Sequence, residues 1–184
     1  MLYKPQKGAI WDPSIIWHHG MYYAFFMYNM DGNSGLAATH CLLATSSDGV
    51  HWEEQGAIID ERGRPDGGRF FKCFVAKCGD KFVMNHGVAR KQGQDLMRFC
   101  QSKDLRNWEY ITSMEPDERW YTRARWDHMY VLPKEEGKPE AGYWGYIVAV
   151  SREYNKLTAM MESREGIKWE ALPPCQVEWG NTPP

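Results

Sequence analysis

The chain has 184 residues, with 22 basic and 24 acidic side chains, a formal charge of -2 and no basic stripe, so a nucleic-acid partner is not expected. No run of about 18 apolar residues is present to span a membrane, and five cysteines without a Cys-x-x-Cys pair indicate neither a disulfide framework nor a zinc knuckle. The length suits one ordinary domain with a sizeable core.

Residues 15–17 form a short apolar strand. His18, His19 and Gly20 turn it, and residues 21–28 return as a second strand rich in aromatic β-formers. A loop rich in turn residues follows, residues 41–46 make a third strand, and Trp52 opens a fourth beyond the Asp48-Gly49 turn. A second unit repeats this over 74–76, 82–84, 96–100 and 108–111. A third does so over 129–132, 143–150 and 157–161, with its last strand opened by Trp169. No convincing helix is found. The segments between units, 60–69 and 113–125, carry Gly, Pro and charge, as loops over a pocket mouth do. The N-terminus has no signal-peptide h-region, which predicts a cytoplasmic protein, or a secreted one if a leader has been removed.

Each unit closes alike: Ser46 to Trp52, Ser102 to Trp108 and Ser163 to Trp169 all run serine, acid, short turn, tryptophan. The recurrence of this signature at roughly 60 residues points to propeller blades. The expected fold is therefore all-β, a single β-propeller domain of four-stranded antiparallel blades over residues 11–59, 70–112 and 125–173. Propellers close with about four to eight blades, so three imply part of a larger propeller of about five, or a truncated product. Self-association through open blade edges is expected.

The inner strand of each blade lines the channel, and superposing the units aligns Asp12 with Lys72 and Asp127. The opening Trp11-Asp12-Pro13-Ser14-Ile15-Ile16, followed by Gly20-Met21-Tyr22-Tyr23, resembles the first blade of the five-bladed propeller glycosidases, glycoside hydrolase family 43 and the related family 32. The resemblance implies a glycosidase with Asp12 as general base or nucleophile and Asp127 as the carboxylate that tunes pKa values or stabilises the transition state. Asp127 departs from the family pattern in following Trp126 rather than Arg and in preceding His128 rather than Pro. A later Glu would be the general acid; Glu178 stands at a plausible distance, and a residue beyond Pro184 is the alternative. Two carboxyl groups suit the chemistry, at roughly 6.5–9.5 Å for inversion and about 5–5.5 Å for retention.

Around them, Trp11 and Trp126 are either stacking platforms or inter-blade core, and Lys72 is either a hydroxyl donor or a solvated loop lysine. Arg125 and His128 flank Asp127 as substrate contacts, with a structural ion pair as the alternative reading. Arg123 and Arg125 would bind phosphate in a glycoside phosphorylase, a variant reading. Trp52, Trp108 and Trp169 are structural, because a residue repeated in every blade cannot do site-specific work. No cofactor is expected; a channel calcium near His86 and His128 is left open by the resemblance. The competing functions are a non-catalytic carbohydrate-binding propeller or remnant, and a protein-interaction propeller.

Overall fold

The computed structural model describes residues 3–64, 66–89, 96–153 and 158–174. Strands β1 (Ala9–His18), β2 (Met21–Asn29), β3 (His40–Ser46) and β4 (Glu53–Asp60) form the first sheet. The second holds β5 (Arg69–Cys78), β6 (Lys81–Ala89), β7 (Leu96–Ser102) and β8 (Glu109–Met114). The third holds β9 (Tyr121–Pro133), β10 (Tyr143–Ser151), β11 (Thr158–Ser163) and β12 (Glu170–Ala171). Every sheet is an antiparallel meander in sequence order. This is the expected all-β partial propeller; the helical content among the described residues is two single 3-10 turns.

The inner strands are longer than the sequence suggested. β1 starts at Ala9 rather than residue 15, β5 at Arg69 rather than 74, and β9 at Tyr121 rather than 129. Each contains a β-bulge that interrupts the side-chain alternation, and the apolar pattern is legible only beyond it. β2 and β3 are buried on both faces, which explains their unbroken apolar runs.

Facing sheets supply the core. One cluster, with Phe25, Leu43, Phe70, Val75, Met84 and Leu105, lies between the first and second sheets. Another, with Met97, Phe99, Trp126, Met129 and Ile147, lies between the second and third. The remaining face of the first sheet is capped by the N-terminal segment, where the Tyr3 hydroxyl and the Gln6 N–H both donate to Glu54 at 2.9 Å.

The repeated signature is a turn device at the end of β3, β7 and β11. Ser46, Ser102 and Ser163 each accept two backbone N–H bonds, and the indoles of Trp52, Trp108 and Trp169 donate to the carbonyls of Gly49, Leu105 and Gly166. That carbonyl belongs to a residue at positive φ in every blade, glycine in two and the buried Leu105 (φ 63°) in the third.

β1, β5 and β9 are edge strands, with one row of backbone polar groups turned away from their own sheet. Groups buried there need partners. The preceding blade provides them: Ser14 Oγ accepts from Val75 N at 3.2 Å, and the Asn85 amide clamps Met129, accepting from its N–H at 2.6 Å and donating to its carbonyl at 2.8 Å.

Candidate active site

The bulges bring the chemistry to one end of the sheets. In β1, Trp11 pairs with Met27 and Ser14 with Phe25, so Asp12 and Pro13 face one residue of β2. In β5, Phe70 pairs with Val88 and Cys73 with His86, and in β9, Trp126 pairs with Ala149 and Met129 with Ile147. The same two-against-one irregularity therefore falls at Asp12-Pro13, Phe71-Lys72 and Asp127-His128. Asp12 and Asp127 occupy one slot. The expected match of Lys72 to that slot is off by one residue: Phe71 holds it, and Lys72 shares the next with Pro13 and His128. The slip arises because the second inner strand is in register with the others from Cys73, the equivalent of Ser14 and Met129, and not from Phe74.

Asp12 sits at φ 42°, in the left-handed region where a non-glycine residue carries strain, though aspartate tolerates it better than most. β5 packs against both β1 and β9, so the strand with the Phe71-Lys72 bulge lies between the strands that bear the two aspartates. Closure at the second and third bulges depends on Gly87. A Cβ there would stand 3.1 Å from the Phe71 Cβ and 3.5 Å from the Asp127 carbonyl carbon.

Four of the expected site residues converge on the third bulge. Arg125 Nε donates to Asp127 Oδ2 at 3.0 Å, fixing a carboxylate whose side chain is 20% exposed. His128 is buried, and burial, with Lys72 and Arg125 nearby, depresses its pKa to about 3. Its imidazole is therefore neutral, and Nδ1 has no hydrogen-bond partner among the described residues. Lys72 is half-buried and close enough to His128 to act on its charge.

Other expectations are corrected. Trp126 is wholly buried between the second and third sheets and offers no face to a sugar, whereas Trp11 is 49% exposed. These two and Phe70 share the slot before the bulge. In β5 and β9 it packs on the preceding blade, and β1 has no preceding blade among the described residues. Arg123 is held by Glu115 and Glu118 at 2.7 and 2.6 Å and Arg125 by Asp127 at 3.0 Å. His86 is not in the channel group: its Nε2 meets Glu61 Oε1 at 2.9 Å. No cluster of three or more His, Cys, Asp or Glu able to hold a metal occurs among the described residues. Glu178 lies outside the described residues.

Sequence reasoning missed Phe71, Asn85 and a buried ionic cluster. Glu61 and His86 are fully buried and Arg98 nearly so. Arg98 donates to Glu61 at 2.9 Å and grips Asp66 with both terminal nitrogens at 3.2 and 2.9 Å. Burial alone would raise the Glu61 pKa, but His86 and Arg98 outweigh it and hold the carboxyl below its usual range. The cluster anchors the loop joining the first and second blades. A charged residue inside the apolar run Leu96-Met97-Arg98-Phe99-Cys100 was the available signal.

Three four-stranded sheets, each with a bulge at the same place in its first strand, define a partial propeller. The chain is matched over residues 3–178 by the model for the glycosyl hydrolases family 32 N-terminal domain, and it belongs to that family. Exo-inulinase from Aspergillus awamori shares 20% identity at a TM-score of 0.71, over 92% of this chain and 38% of that one. Fructan 1-exohydrolase IIa from Cichorium intybus shares 16% at 0.70, over 92% and 33%. A GH43_1 enzyme from Xanthomonas citri shares 10% at 0.65, over 90% and 56%. The chain thus spans between a third and just over half of these proteins. No curated protein sequence matches it.

Proposed function

We propose that the chain carries the substrate-binding channel and two active carboxylates of a glycoside hydrolase acting on an oligosaccharide or polysaccharide. One observation carries this reading most: the same bulge recurs in three inner strands and holds an aspartate in two of them, one in strained backbone. A bulge that holds a non-glycine residue in the left-handed region is a reason to look for chemistry. Asp12 is assigned as nucleophile or general base, and Asp127, oriented by Arg125, as the carboxylate that stabilises positive charge on the sugar ring. Lys72 and the neutral His128 face the sugar hydroxyls. Glu178 is the candidate proton donor within the matched segment. Family membership, with an exo-inulinase and a fructan exohydrolase among the similar structures, favours a fructan-type substrate.

The test is hydrolysis of 1-kestose by the full-length protein, followed by released sugar. Asp12→Asn and Asp12→Gly should both fold, since asparagine tolerates and glycine prefers φ 42°. Both should lose at least about a hundredfold in kcat. Wild-type turnover in either variant would end the assignment.

A further inference from the structure

A strand of the second blade seats the carboxylate of the third. β6 packs against β9, and Asn85 and Gly87, both buried and two residues apart, present one face of β6 to it. The Asn85 amide holds both backbone groups of Met129, at 2.6 and 2.8 Å, directly after the Asp127-His128 bulge. Gly87 stands at that bulge: a Cβ there would lie 3.5 Å from both the Asp127 carbonyl carbon and the Trp126 oxygen. It would also lie 3.1 Å from the Phe71 Cβ. Gly87 is the single residue of β6 opposite the Phe71-Lys72 bulge, since Phe70 pairs with Val88 and Cys73 with His86. The bulges of β5 and β9 therefore meet over a residue without a side chain. Gly87 does not lie in the left-handed region, so the fold uses its missing side chain and not its backbone freedom.

We infer that Gly87 is a positioning residue for Asp127. Asn85 anchors the backbone behind the carboxylate, and the space above Gly87 lets the bulge settle against the second blade. The inference rests on the glycosidase reading, in which Asp127 stabilises charge on the sugar ring. It goes beyond that reading by assigning the placement of this carboxylate to the neighbouring blade. A group that acts by its position loses about a hundredfold in rate when displaced by about 1 Å.

The test is hydrolysis of 1-kestose by the full-length protein, assayed below the melting transition of each variant so that unfolding cannot lower the rate. Gly87→Ala asks its neighbours to yield by a few tenths of an ångström, and Gly87→Val extends a bond length further. On the same scale kcat should fall about threefold for alanine and about a hundredfold for valine, with KM within about twofold. In an Asp127→Asn background neither substitution should lower kcat further, because the group being positioned is already gone. Should valine prevent folding, the alanine variant and its pairing with Asp127→Asn carry the test. An unchanged kcat in a folded Gly87→Ala, a rise in KM alone, or losses that add to that of Asp127→Asn would overturn the positioning role and leave the glycosidase reading standing. No turnover of 1-kestose by the wild type would overturn both.

Discussion

Replacing Asn85 by alanine tests how one blade holds the bulge of the next. The Asn85 amide makes both hydrogen bonds to Met129, at 2.6 and 2.8 Å, two residues beyond Asp127. Asn85 and Met129 are buried at 1% and 0% exposure, so neither orphaned backbone group can turn to water. A buried group left without its partner costs about 1–3 kcal/mol. Two such groups, partly relieved by water entering the space left by the amide, give an expected loss of about 3 kcal/mol. Ser14→Ala removes a single bond, to Val75 N, and should cost about 1 kcal/mol. Guanidinium unfolding measures both, with the midpoint falling at constant slope. A loss below about 1 kcal/mol for Asn85→Ala, or one no larger than that of Ser14→Ala, would refute the view that these side chains substitute for a neighbouring strand.

Acidification should destabilise the fold well before the carboxylates protonate. His128 titrates near 6.5 when unfolded and near 3 when folded; its contribution is full above pH 6.5 and is lost as pH falls, at up to about 1.4 kcal/mol per pH unit. The burial-lowered pKa of His86 acts in the same direction. Melting temperatures between pH 7.5 and 5 should fall, and His128→Gln should flatten that fall; an unchanged slope would refute the assignment. Glu61→Gln should cost about 3–5 kcal/mol in urea unfolding, because it leaves the buried Arg98 guanidinium without its buried counter-charge; a near-neutral result would show that the cluster does not anchor the loop between the blades.

Turns and outer strands were legible because their signals are local. Ser46, Asp48, Gly49 and Trp52 lie within seven consecutive residues, Ser46 bonding to Asp48 and Gly49 and Trp52 to Gly49, so the sequence shows the whole device, and its recurrence reveals the blades. The candidate carboxylates were legible for a related reason, since Asp12 and Asp127 each open an apolar run. The bulges were not, because one extra residue reverses the facing of every side chain before it. That reversal shortened β1, β5 and β9 in the sequence reading, and starting the second inner strand at Phe74 instead of Cys73 put Lys72 in the slot of Phe71.

The sequence by itself determined the strand content, the repeat and the matching register of Asp12 and Asp127, all set by neighbours along the chain. Tertiary structure alone decided which side chains are buried and which are paired. Trp11 and Trp126 occupy equivalent slots, yet one is half exposed and the other fully covered, because the third blade has a preceding described sheet packed against that face and the first has none. His86 and Arg98 face each other across β6 and β7, and Glu61, just beyond β4, reaches them only when the first two blades close. Such contacts depend on surfaces distant in the chain, and no local pattern encodes them.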